Sequence, residues 1–444
     1  MCAVLLTAIA VAVASAAVVG AATSSPVRVT AGVTLWPSVP MNGVSCVAVG
    51  ECAAVGYSEP AVHSVIVEDV HGSWGVPTVV GTDREQTYLD VPLCTRDGSC
   101  VAMVVGQHAV GVAHFAMGGP LDFTENMDLR YSPYADFMGE EACSSVTSCW
   151  QTYLDGSQTK SSVQALGFVN GRWLVPASLG GPYGETGGVT QVNGISCWAA
   201  NSCTFVGQEF GQTSSALPRV YLQSERDGRL VGLTNPPHSS TFFTFGQRDV
   251  VSCSGFQTCL VGGHAIVGRN KEDGTVEEIV SGRWSPEVHG IGMSATATSS
   301  IVQDVSCHGL AICVAAGESE RAGGRDALFL QADVDHHWRA PLIVPADESW
   351  EGGFGHTGPN WASCPTTRAC VVAGLLAAPG GAVEGFVATY EDATWHLVRI
   401  QLGPRVTAQY LGDGSCVSTT CYVVGTVLAG STRSGFVLPV RITP

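Results

Sequence analysis

Eight pairs of cysteines recur along the 444 residues at intervals of roughly fifty, with five residues between partners in seven pairs and four in the last. They are Cys46–Cys52, Cys94–Cys100, Cys143–Cys149, Cys197–Cys203, Cys253–Cys259, Cys307–Cys313, Cys364–Cys370 and Cys416–Cys421. A period of this length marks a chain of supersecondary units, each too small to bury its own apolar face and stable only against its neighbours. No fold lacking an eightfold internal repeat accommodates this pattern.

Two further marks share the period. A large apolar residue follows each of the first seven leading cysteines by 28 to 33 residues: Trp74, Phe123, Trp173, Leu230, Trp284, Trp338 and Trp395. Gly56, Gly207, Gly263, Gly317, Gly374 and Gly425 each stand four residues after a second cysteine. Between these marks run short β-branched segments bounded by Gly, Pro or Asn, four to a unit, and no segment carries a helical stripe. The reading is all-β: an eight-bladed β-propeller of four-stranded antiparallel blades. The eighth unit stops before any Trp strand, while Trp36 stands only ten residues before Cys46. An N-terminal strand carrying Trp36 is therefore expected to complete the last blade, closing the ring and removing an open sheet edge.

With the cysteine strand innermost, each pair flanks the hairpin between a blade's first two strands, close enough for one disulfide per blade. Zinc is a poor alternative for these cysteines, because a closed site needs four converging ligands and each unit supplies two. A catalytic thiol would need a singular cysteine with a histidine partner, and every cysteine here has a repeated twin. The recurrent tryptophans read as packing between blades, since Leu230 fills the same place.

Residues 1–22 contain no charge and read as a signal peptide or N-terminal anchor, followed by a short linker at 23–28 and one propeller domain at 29–444. Removing the signal takes Cys2 with it and leaves an even sixteen cysteines, as an oxidising compartment demands. The protein is expected to be secreted or extracellular, with anchoring by the N-terminal segment as the alternative and no other membrane span. Acidic residues outnumber basic ones by 38 to 21, which argues against binding a phosphate backbone and excludes nucleic acid as a partner.

The repeated cysteine pairs with turns such as "HGSW", "NGRW", "SGRW" and "DATW" after them resemble, over the whole chain after residue 22, the secreted repeat proteins of high-GC Gram-positive bacteria whose units read "V-S-C-x5-C-x-A-V-G" followed by "N-G-x-x-W". That resemblance implies a sialidase-like or kelch-like propeller and no particular reaction. "YEDATW", Tyr390 to Trp395, also resembles a degraded Asp-box, the turn between third and fourth strands in sialidase-type blades.

Propeller ligands bind at the mouth of the central channel, and the variable connections there are the places to look. Trp350, Glu351, His356, Asn360 and Trp361 cluster in the longest connection, with Arg130, Tyr131 and Tyr134 in another and Tyr183 and Glu185 in a third. Gly353, Gly355 and Gly358 match a dinucleotide fingerprint only by accident, since no helix follows. "ADVDHHW", with Asp333, Asp335, His336 and His337, reads as a solvated turn. No catalytic constellation, metal site or cofactor is expected. The chain reads as a monomeric, non-catalytic extracellular binding or cell-surface module for a glycan or a protein at the cell surface. The alternative is a polysaccharide-directed glycoside hydrolase or lyase using loop carboxylates such as Glu351 and Glu185.

Overall fold

The computed structural model describes residues 34–80, 87–106, 109–119, 121–128, 140–155, 162–179, 190–199, 202–209, 219–226, 228–234, 250–256, 258–268, 271–292, 297–321, 325–345, 358–377, 383–400 and 406–442. Among them every regular element is a β-strand, and the strands form eight antiparallel sheets. Seven sheets are consecutive: blades 1 to 7 occupy 41–80, 87–128, 141–178, 190–234, 250–290, 297–345 and 358–400. In blades 1 and 3 the outer strand breaks at Pro77 and Pro176 and resumes as Thr78–Val80 and Ala177–Ser178. Proline has no N–H to donate, so the ladder stops there.

Blade 8 is assembled from distant parts of the sequence. Val406–Val417, Thr420–Ala429 and Thr432–Arg441 supply three strands, and Thr34–Pro37 supplies the outer one, with Thr34 opposite Val437 and Pro37 opposite Ser434. Trp36 is buried there at 6% exposure and meets Trp74 of blade 1 edge to face, ring centres 5.5 Å apart. Each blade's first strand packs on the first strands of both neighbours, and Val406–Val417 meets Met41–Ala48, so these strands form the closed inner ring.

The core is divided accordingly. Eight apolar clusters lie one in each seam between blades, and each takes in the second cysteine of a pair, nearly or wholly buried. All eight disulfides form within their blades, with Cα separations of 3.9–4.1 Å. Each closes the hairpin from inner to second strand. Among the described residues no helix is long and apolar enough to cross a membrane.

The repeated glycine and serine acquire physical reasons. The inner strand bulges beside the glycine, and a Cβ on Gly56, Gly207, Gly317 or Gly374 would lie about 2 Å from its carbonyl oxygens. In three of those blades a third-strand aromatic ring covers the gap: Tyr221 opposite Gly207, Phe329 opposite Gly317 and Phe386 opposite Gly374. The serine before the first cysteine accepts a hydrogen bond across the seam from the leading cysteine's backbone N–H in the next blade. Ser45 serves Cys94 (2.9 Å), Ser196 serves Cys253 (2.9 Å), Ser252 serves Cys307 (3.1 Å), Ser306 serves Cys364 (3.1 Å) and Ser415 serves Cys46 (3.0 Å).

The "HGSW", "NGRW" and "SGRW" segments are two-residue hairpins with positive φ at both central residues, at His71-Gly72, Asn170-Gly171 and Ser281-Gly282. Trp74, Trp173, Leu230, Trp284, Trp338 and Trp395 all pair with the third-strand residue that faces the second cysteine. In blade 2 that place belongs to Leu121, opposite Phe115, rather than to Phe123, because only two residues separate the second strand, Ser99–Gly106, from the third, Ala109–Ala116. In blade 7 it is Tyr390 that faces Cys370, where blades 1, 4 and 6 have Asp69, Glu225 and Asp333. Those three carboxylates accept backbone N–H groups of their own turns, from Gly72 and Ser73, from Gly228 and from His337.

Candidate functional site

The inner strands run from the blade-to-blade connections toward the disulfide hairpins, so the two ends of the ring differ chemically. Toward the connection end the strands bond across seams through side chains. Asn42 donates its amide to the Leu89 carbonyl, and Asn360 donates to that of Leu411, both at 3.2 Å. The Asp413 carboxylate accepts the Val44 backbone N–H at 3.0 Å.

Acidic groups accumulate on this inner ring. Burial, with Asp90 and Asp304 nearby, pushes Asp413 up to about 7 despite the backbone bonds it accepts. Burial likewise raises Asp90 to about 6, and Glu141 is driven well above the usual carboxylate range by burial, Asp90 and Glu140. One oxygen of Glu141, Oε2, is buried without a hydrogen-bond partner. Near neutral pH the ring therefore holds protons that free carboxylates would have released.

A cleft of about 260 Å³ opens at the connection end of the seam between blades 8 and 1, lined by Pro40, Asn42, Tyr57, Tyr410, Thr426 and Arg433. Tyr410 comes from the inner strand of blade 8 and is 37% exposed. Tyr57 is next to last in the second strand of blade 1, and Arg433 is second in the third strand of blade 8. The Arg433 guanidinium reaches the Glu59 carboxylate at 2.9 Å, which fixes its position and holds it protonated. Thr426 accepts the Met41 N–H at 3.3 Å. Among the described residues the lining thus offers two phenols, a fixed cation and an amide in one concavity, groups suited to hydroxyl-rich or carbonyl-rich ligands, and it includes no carboxylic acid.

Of the residues singled out in the sequence, Asn360 and Trp361 fall within the described strands. Both lie on the inner strand of blade 7, Gly358–Thr366, where Asn360 bonds to blade 8 and Trp361 packs into the seam against Gly414. Trp350, Glu351, His356, Arg130, Tyr131, Tyr134, Tyr183 and Glu185 lie outside the described residues. Tyr57, Tyr410 and Arg433 escaped the sequence reading because no motif marks them; closure of the ring alone brings them together.

No protein-family model matches this chain, and no curated protein does. Solved structures do. The Dos1 propeller aligns with a TM-score of 0.51 at 12% identity, covering 91% of this chain and 93% of that one. A polysaccharide lyase, the PL25 ulvan lyase, aligns at 0.44 and 11% identity over 82% of this chain and 94% of its own. The α-L-arabinanase of Penicillium chrysogenum aligns at 0.35 and 13% over 64% and 93%. At such identities the likeness to the Dos1 propeller concerns the fold, and this chain is a disulfide-rich β-propeller.

Proposed function

We propose that the protein is a secreted, non-catalytic extracellular binding module that takes a glycan or peptide at the channel mouth, on the face opposite the disulfide hairpins. The observation that carries this reading is the cleft at the closing seam, where Tyr57, Tyr410 and Arg433 converge without an acid among them. Eight disulfides suit an oxidising compartment, and a stapled scaffold lets loops at the other end vary without disturbing the blades. The strand ends that flank the connections holding Trp350, His356 and Tyr183 lie at that same end.

A glycan array probed with the oxidised protein, followed by calorimetry on the strongest hit and on random peptide pools, tests this. Tyr410→Ala is expected to weaken the selected ligand by roughly tenfold or more, as for an aromatic contact in a pocket. Substitutions of Val47 and Val49 in the first disulfide hairpin leave binding intact. Time-dependent release of reducing ends or unsaturated sugars from a bound polysaccharide would replace this reading with the hydrolase or lyase one.

A further inference from the structure

The third strand of blade 6, Arg325–Val334, ends in a two-residue turn at Asp335 and His336, both with positive φ (53° and 60°). Val334 and His337 exchange backbone hydrogen bonds of 3.2 Å across it. The turn presents His336 to the neighbouring blade, where its Nδ1 lies 3.3 Å from Oε1 of Glu278 on the third strand of blade 5, Lys271–Val280. Between them stands Asp333, 1% exposed, whose Oδ1 is buried without a hydrogen-bond partner. The ligand-type atoms of Glu278, Asp333 and His336 all lie within 4.8 Å of one another, the one such group of three among the described residues.

Two carboxylates side by side at a seam, one fully buried, are an unfavourable arrangement for the bare protein. Burial and Glu278 both raise the Asp333 acid, against partial relief from His336, the His337 N–H and His289. A cation between them would satisfy the orphaned oxygen and neutralise the pair together.

We infer that Glu278, Asp333 and His336 form a site for one divalent transition-metal ion of the Zn²⁺ class, joining blades 5 and 6, with water in the remaining position. One imidazole nitrogen with two carboxylate oxygens is a donor set for zinc and its neighbours. Calcium wants six to eight oxygens, and magnesium keeps a hydrated oxygen octahedron. The distance agrees as well: bonds of about 2.0–2.1 Å in a tetrahedron put adjacent ligand atoms about 3.3 Å apart, the separation already present between His336 and Glu278. His336 keeps 60% of its side chain exposed, which leaves the ion a route in and the water a place. The site lies toward the disulfide end of the blades, since Asp333 faces Cys313, and is independent of the ligand proposed at the mouth.

The test uses untagged, oxidised protein stripped with a chelator and titrated with ZnCl₂ by calorimetry, without reductant so that no thiol competes. One Zn²⁺ per chain is expected, with a rise in melting temperature that CaCl₂ and MgCl₂ do not reproduce. Glu278→Gln, nearly isosteric at a half-buried position, and His336→Ala, at an exposed one, should each weaken Zn²⁺ by at least about tenfold, the loss typical even of groups behind the ligands. His71→Ala, which removes a histidine beside the single carboxylate of Glu51, should leave the affinity unchanged. X-ray absorption at the zinc edge should report one imidazole and oxygen neighbours. The inference is overturned if the protein takes up no stoichiometric Zn²⁺, or if both variants bind it as tightly as the parent.

Discussion

The seam between blades 8 and 1 and the seam between blades 2 and 3 are built from the same repeat yet held differently. At the first, directional bonds accumulate: Ser415 to the Cys46 N–H, Asp413 to the Val44 N–H, the Tyr422 hydroxyl to the Gly50 N–H and Arg433 to Glu59. Trp36 and Trp74 meet edge to face beside them. At the second, Leu93 stands where the bonding serine would be, Cys149, Tyr153, Leu166 and Phe168 supply apolar contact, and Glu141 keeps an unpartnered oxygen. Apolar packing holds any two blades together, but it is indifferent to small slips. Directional bonds fix the register, and among the described residues several of them gather where the ring must close on a strand recruited from far away in the sequence.

The sharpest way to break this comparison is to remove the closing strand. Deleting residues 34–39 strips blade 8 of Trp36 and exposes the edge of Thr432–Arg441. Loss of a buried tryptophan alone costs about 3–5 kcal/mol, so melting should fall by roughly 10 °C or more. An unchanged melting curve would show that blade 8 does not need this strand.

A smaller effect separates the two seams by pH. Asp413 has a folded-state value of about 7 against an ordinary 3.8, so between those limits the folded protein keeps a proton that the unfolded chain has released. Folding then takes up protons, and stability falls as pH rises from about 4 to about 7, the full penalty being present above that range. Glu141 contributes in the same direction. Glu141→Gln should therefore stabilise the protein at pH 8 and change little at pH 4, while Asp413→Asn gains less at pH 8 because Asp413 already holds the Val44 N–H. Melting temperatures of both variants across pH 4–8 check the order; equal gains would mean that the two seams treat their acids alike.

The smallest expected change tests the serine bonds singly. Ser415→Ala leaves the Cys46 N–H without its partner and should cost about 1 kcal/mol in denaturant unfolding. Ala142→Ser, which places the repeated serine before Cys143 and aims it at the Cys197 N–H of blade 4, should be neutral or stabilising by a similar amount. If Ser415→Ala costs nothing, the serine is not what sets the register at the closing seam.

Much of the architecture is legible in the residues because its determinants are local and periodic. Cys46 and Cys52 face one another across a hairpin whose length is written in their spacing, and the same holds for the other seven pairs. Trp36 betrays the closing strand because it stands too near Cys46 to belong to that unit. Phe123 shows the weakness of counting: a short connection between the second and third strands of blade 2 brings the packing position forward to Leu121, and a fixed offset cannot see a connection's length. The candidate site was less legible. Asn360 and Trp361 are recognisable as unusual residues, but not as partners of Leu411 and Gly414 in the next blade.

The sequence by itself determined the number of blades, the strand order, the disulfides and the strand exchange that closes the ring, since each follows from residues within one period or from a period left incomplete. Only the tertiary structure decided what meets across the seams. Arg433 and Glu59 are 374 residues apart and touch because the ring closes. "ADVDHHW" looks like a solvated turn until blade 5 places Glu278 against it. A repeat fixes the pairing inside each blade through hairpin geometry, whereas side chains facing each other across a seam depend on the twist and tilt of two sheets, which no spacing of residues records.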